Sequence, residues 1–130
     1  ALGGPDANEV AWVEAEDSEA VVAAVEAQYE RLIEVEGYSP NSVLFATLNR
    51  ALRDDLRDVL GFVNFEHSGD TALTCETVHR VKGLEFDYVV LVVGSHDVAK
   101  DDLLYIGCSR AVSGLTVVGP RAVAERLGLA

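Results

Sequence analysis

The 130-residue chain has only two cysteines, Cys75 and Cys108. Two are too few to staple a small secreted domain, and their spacing fits no zinc motif. Both read as reduced, buried, small apolar residues. Long apolar runs are missing too. None approaches the roughly 20 residues needed to cross a bilayer, and the opening ALGGPDANE has no basic-then-apolar leader pattern. These absences predict a cytoplasmic protein with no membrane partner. Basic residues are also scarce: 10 Lys and Arg stand against 22 Asp and Glu, a formal net charge of −12. That balance argues against a surface that holds nucleic acid by bulk charge.

The deficit is uneven. Residues 1–36 hold 10 acids and one base, Arg31, a local charge of −9; residues 37–130 hold 12 acids and 9 bases, a local charge of −3. The acidity is therefore concentrated in the first part, and the remainder keeps enough placed cations to hold a strand at chosen points. At 49% hydrophobic and 25% charged residues, the chain can build one ordinary core. Residues 1–8, with Gly3, Gly4 and Pro5, read as a linker or a cut end, and residues 9–130 as a single domain.

Within that domain Val10 and Trp12 suggest a first strand. Asp17 or Ser18 can cap a helix whose apolar positions Val21, Val22, Val25, Tyr29, Leu32 and Ile33 recur at helical spacing until Gly37 and Pro40. The Glu26, Glu30 and Glu34 line reads as a solvated face, or else as a surface for a basic protein partner. Val43–Phe45 is a buried-strand candidate. Thr47 is the expected cap of the next helix, with Leu48, Leu52, Leu56, Val59 and Leu60 as its stripe and Gly61 as its stop. Arg50, Arg53 and Arg57 interleave there with Asp54 and Asp58, as a surface of ion pairs such as Arg50 with Asp54 would. Further strands are expected over 62–65 and 71–75, with a turn at Ser68, Gly69 and Asp70. The apolar run Tyr88–Val93 is another, followed by a loop over Gly94–Lys100 and a helix reaching Arg110. Gly114 is read as a turn, Leu115–Val118 as a strand, and Pro120 as the start of a last helix. Strands alternating with helices predict an α/β domain with a largely parallel sheet covered by helices.

Polar residues concentrate in two places. Thr77, His79, Lys82 and Glu85 fall in a turn or short helix between two strands, and Arg110 lies a short way along a later helix, all directed at one strand edge where α/β folds bind ligands. The first stretch, TVHRVKGLEFD, resembles the fifth motif of UvrD/Rep-type superfamily 1 helicases, T-x-H-x-x-K-G-L-E-F. LLYIGCSRA resembles their sixth, L-x-Y-V-x-x-T-R-A, with Ser109 in place of the threonine. The resemblance spans about residues 43–120 and implies a RecA-like, three-layer second motor domain of an ATP-dependent DNA helicase or translocase. It further implies that ATP and Mg²⁺ sit in a cleft against an upstream RecA-like domain of the same parent chain, which supplies most of their contacts. On this side of the cleft Arg110 would reach the γ-phosphate and Glu85 the nucleotide, with Gly83 allowing close backbone approach. Thr77, His79 and Lys82 would contact single-stranded DNA, and Arg50 matches loosely an arginine near a helix start in that family. Tyr105 is expected to pack its ring under the helix.

A phosphate cradle would read G-x-x-x-x-G-K-[ST]. The nearest stretch, Gly94–Asp101, puts Ala99 at a required glycine and Asp101 at a required hydroxyl. The chain alone is therefore expected not to turn over ATP, and a small independent NTPase is disfavoured. The competing class is a non-catalytic acidic interaction module with a helicase-like fold. Asp101-Asp102-Leu103 lacks the arginines that precede the sixth motif in many relatives, which leaves subfamily and polarity open.

Overall fold

The computed structural model describes residues 9–61, 74–81, 83–94, 97 and 100–129. The expected linker over 1–8, the strand over 62–65, the turn at Ser68–Asp70 and Lys82 lie outside these residues. Five strands form one sheet in the order β1-β5-β4-β2-β3: β1 Glu9–Glu14, β2 Val43–Thr47, β3 Thr74–Thr77, β4 Phe86–Val92 and β5 Ala111–Gly119. Every pairing among the described residues is parallel.

Parallel strands need crossovers: α1 Ser18–Tyr29 lies between β1 and β2, α2 Arg50–Leu60 between β2 and β3, and α3 Asp101–Cys108 between β4 and β5, while α4 Arg121–Leu127 follows β5. Side chains alternate between faces along each strand, and β4 divides accordingly. Val89 and Leu91 join a core with Leu44, Leu104, Cys108 and Val123, which carries α3 and α4. Tyr88, Val90 and Val92 join a second core with Val21, Val25, Phe45 and Leu56, which carries α1 and α2. This double burial explains the nearly unbroken apolar run of β4. The result is a three-layer α/β domain, as the sequence predicts.

The local differences have physical causes. Asp17 caps α1 as expected, accepting from the Ala20 amide at 2.8 Å. The helical pattern then continues as a π-helical turn, Glu30–Val35. Thr47 does not cap α2; it is the buried last residue of β2, and Asn49 takes the capping role, its Oδ1 accepting from the Leu52 amide at 2.8 Å. Gly61 closes α2 at φ +73°. Gly114 is not a turn. It lies inside β5 opposite Tyr88, where a Cβ would stand 2.3 Å from the tyrosine ring. The Tyr88 hydroxyl is bound in turn by Thr116 at 2.7 Å and Arg31 at 2.8 Å.

Among the described residues no helix is long and apolar enough to cross a membrane, and no group of His, Cys, Asp and Glu could hold a metal ion. Both cysteines are buried and free. Burial pushes the Cys75 thiol up to about 12 and the Cys108 thiol up to about 11.

Candidate functional site

In an all-parallel sheet the strands share one carboxyl edge and one amino edge. β3 ends at Thr77 and β4 begins at Phe86, so residues 78–85 must run from the carboxyl edge to the amino edge over one face. Val78 and Val81, both fully buried, pin this crossover to the core beneath α3. The Val78 amide donates to the Thr47 carbonyl at 2.9 Å, and the Leu84 amide to the Val81 carbonyl at 3.0 Å. The candidate residues therefore do not share one strand edge, as expected from their closeness in sequence. Thr77 and His79 lie at the carboxyl edge, Gly83 and Glu85 at the amino edge.

The carboxyl edge holds a basic hollow of about 680 Å³ bordered by Leu48, Asn49, Arg50, Arg53, Thr77, His79 and Arg80. Arg50 is exposed at the first position of α2, where the helix N-terminus adds positive potential. Among the described residues it has no ion-pair partner; Asp54 is taken by Arg53 at 2.9 Å. His79 and Arg80 are exposed in the turn after β3. Thr77 is not in that turn but is the buried last residue of the strand, 4% exposed.

Beneath the hollow lies Glu76, a buried carboxylate that the sequence reading missed. It accepts from Arg53 Nη1 at 3.0 Å, Arg57 Nη2 at 2.9 Å and the Thr77 amide at 3.2 Å. Arg57 also donates twice to the Cys75 carbonyl, at 3.0 and 2.7 Å. Burial works against the charge of Arg53, but its hydrogen bonds to Asp54 and Glu76 outweigh it and raise its pKa. Two of the three α2 arginines thus anchor the helix to β3 rather than lace a solvated surface.

The amino edge is built by the starts of β4 and β5. Gly83 turns the chain at φ +89°, a conformation that L side chains rarely adopt. Glu85 is exposed directly before the buried Phe86. Arg110 lies past the end of α3, not along it, and directly precedes β5. The Phe86 amide donates to the Arg110 carbonyl at 2.8 Å, and Phe86 pairs with Ala111, so Glu85 and Arg110 enter neighbouring strands side by side. The register slips by one residue immediately afterwards, between Phe86 and Tyr88; such bulges re-aim side chains at strand ends. Arg110 Nη2 donates to Ser109 Oγ at 3.0 Å, while its Nε is buried without a hydrogen-bond partner. A buried, orphaned guanidinium nitrogen is costly unless something absent here completes it. Tyr105, expected under the helix, is instead 63% exposed on α3.

Two described residues of the Gly94–Asp101 stretch, Asp97 and Lys100, are committed to other contacts. Asp97 is almost fully buried, accepts from Asn49 Nδ2 at 2.5 Å, and pairs with Lys100 Nζ at 2.5 Å. The loop's lysine is thus committed to a carboxylate, which does not suit a site for triphosphate.

Residues 72–118 match the family model of the UvrD-like helicase C-terminal domain. Among solved structures, one described as the C-terminal domain of a possible DNA helicase from Lactobacillus plantarum WCFS1 is similar, with 24% identity and a TM-score of 0.68, over 89% of this chain and 75% of that one. At that identity the likeness bears on fold. No curated protein matches. The matched stretch, residues 72–118, contains the crossover and the starts of β4 and β5 at the amino edge, so the likeness to the UvrD-like helicase C-terminal domain falls on the segment that carries the candidate residues.

Proposed function

We propose that this chain forms one wall of the ATP cleft of a DNA helicase or translocase, at its amino edge, and part of the single-strand track, at its carboxyl edge. The observation that carries the reading is Arg110: its backbone directly precedes β5 next to the start of β4, which follows Glu85, and its guanidinium Nε is buried with no hydrogen-bond partner among the described residues. ATP and Mg²⁺ would be held chiefly by an upstream RecA-like domain. When bound they supply the phosphoryl group and its charge neutralisation.

This chain's own residues then have limited tasks. Arg110 presents the delocalised positive charge of its guanidinium to charge developing on the γ-phosphate. The Glu85 carboxylate accepts from a ribose hydroxyl, and Gly83 shapes the turn that delivers it. On the other edge, Arg50 and His79 meet phosphates of a single strand at the rim of the hollow. Arg53 and Arg80 border the same hollow, Arg53 with its charge met by Asp54 and Glu76. Thr77, whose amide is held by Glu76, offers only its hydroxyl, at the hollow's floor. Lys82 remains a proposed strand contact on sequence resemblance alone. The crossover over residues 78–85 joins the strand side to the nucleotide side within one short segment, which suits a motor that must relate the two.

The test is strand-stimulated ATP hydrolysis by the native-length polypeptide beside its Arg110→Ala variant. Strand-dependent turnover lost in the variant supports the reading; equal turnover sinks it.

A second reading is favoured by one surface. Glu26, Tyr29, Glu30, Val59 and Leu60 border a hollow of about 240 Å³ between α1 and α2, with Tyr29 and Val59 exposed. An acidic rim around apolar side chains suits a basic protein segment. Binding of such a segment that collapses with salt, with no effect of Glu85 or Arg110 variants on any activity, would favour an interaction module over a motor part.

A further inference from the structure

We infer that Ser109 is a positioning residue for Arg110, acting through a relay that begins at the end of α3. The inference rests on the reading of Arg110 given above and extends it to a residue with no role so far.

The relay has two bonds. Ser109 Oγ donates its single proton to the Ile106 carbonyl at 2.8 Å. Ile106 lies in the last turn of α3, where helix carbonyls lack an intrahelical amide partner. With its proton committed, the same oxygen can only accept, and Arg110 Nη2 donates to it at 3.0 Å. The hydroxyl rotor is thereby fixed by the helix end, and the guanidinium is fixed by the rotor. Neighbouring side chains diverge in an extended strand. Here Ser109 caps α3 with φ −76° and ψ −7°, a helical conformation that lets residues 109 and 110 meet. The Arg110 amide also donates to the Gly107 carbonyl at 3.3 Å, so backbone and side chain are both tied to the helix. One guanidinium nitrogen is thus spent on aiming, while Nε remains unpartnered.

Without the acceptor on residue 109 the guanidinium loses its one side-chain anchor among the described residues and samples other rotamers. The deficit would then appear in the step where charge develops rather than in nucleotide binding. Threonine should serve as well as serine, because its hydroxyl can bond the same i−3 carbonyl.

The experiment measures strand-stimulated ATPase of the native-length polypeptide and its Ser109→Ala, Ser109→Thr, Ser109→Cys and Arg110→Ala variants. Expected for Ser109→Ala is a fall in kcat of about 10- to 100-fold, the size of one charge-assisted hydrogen bond, with KM for ATP changed far less. Ser109→Thr should stay within about threefold of the parent, and Ser109→Cys, similar in shape but a poor acceptor, should follow alanine. Because sulfur keeps the packing, the cysteine variant still decides the matter if the alanine variant folds poorly. Parental kcat in Ser109→Ala or a folded Ser109→Cys, beside an inactive Arg110→Ala, overturns the role of Ser109 and leaves Arg110 standing. A threonine variant as slow as alanine also overturns it, since shape rather than the hydroxyl would then matter. Full turnover by Arg110→Ala removes the reading of Arg110 and this inference with it.

Discussion

Arg53 and Glu76 form an ion pair between α2 and β3, Nη1 to Oε1 at 3.0 Å, and Arg57 holds the other carboxylate oxygen at 2.9 Å. The Glu76 side chain is only 2% exposed, so neither guanidinium can be replaced by water at that carboxylate. Breaking a buried pair leaves uncompensated charge, at a cost of about 3 kcal/mol or more. Glu76→Gln should therefore lower the unfolding free energy by roughly that amount, read from the urea midpoint. Arg50→Ala, at an exposed site, should stay within about 0.5 kcal/mol. An unmoved midpoint for Glu76→Gln would mean that the two arginines do not depend on the carboxylate.

Gly114 gives a second stability prediction. A Cβ there would stand 2.3 Å from Tyr88 Cε2 and 2.6 Å from Cδ2. The ring cannot retreat easily, because its hydroxyl is bound by Arg31 and Thr116 and its edge packs against Tyr38 at 5.6 Å between centroids. Gly114→Ala should cost about 1–3 kcal/mol by overpacking. Thermal melting should show a lowered Tm, and Tyr88→Val combined with Gly114→Ala should cost less than the two single changes together.

The cysteines set a pH dependence. Burial raises both thiols from 9.0, to about 12 for Cys75 and about 11 for Cys108. The unfolded chain then loses these protons first as pH rises, so the folded state binds more protons above pH 9. The contribution to stability is full below pH 9 and is lost as pH climbs towards 11 and 12. Replacing both cysteines by alanine should flatten the alkaline side of the stability curve. A thiol reagent at pH 8 should label neither cysteine until urea unfolds the chain.

At the carboxyl edge, Arg50→Ala should weaken single-stranded DNA binding by the native-length polypeptide without regard to base sequence. The slope of log affinity against log salt should fall by about 0.7, the release expected for one phosphate on a single strand. An unchanged slope would remove Arg50 from the strand track.

Much of the fold was legible because the forces behind it are periodic. Doubly buried strands read as unbroken apolar runs, α1 as a helical stripe opened by Asp17, and the end of α2 as Gly61. What escaped depended on contacts distant in sequence. Glu76 looks like any glutamate until Arg53 and Arg57, 23 and 19 residues earlier, are brought against it. Gly114 suggested a turn because glycine often marks one, whereas its cause is the ring of Tyr88 on the next strand. The candidate site was legible as residues but not as a place. TVHRVKGLEF is continuous in sequence, yet parallel pairing forces its two ends to opposite edges, separating His79 from Glu85. Ser109, noted only as a substitution for threonine, gained meaning from the Ile106 carbonyl that orients it.

The most direct measurement is ATP hydrolysis by the native-length polypeptide with and without single-stranded DNA, for the parent and for Arg110→Ala. The proposed cleft predicts strand-stimulated turnover that falls by about 10³-fold or more in the variant, with strand binding retained because the hollow at Arg50 and His79 lies on the other edge. Turnover in the variant equal to that of the parent would contradict the assignment of Arg110. Absence of turnover in both, with the polypeptide folded and an upstream phosphate cradle intact, would contradict the motor reading itself.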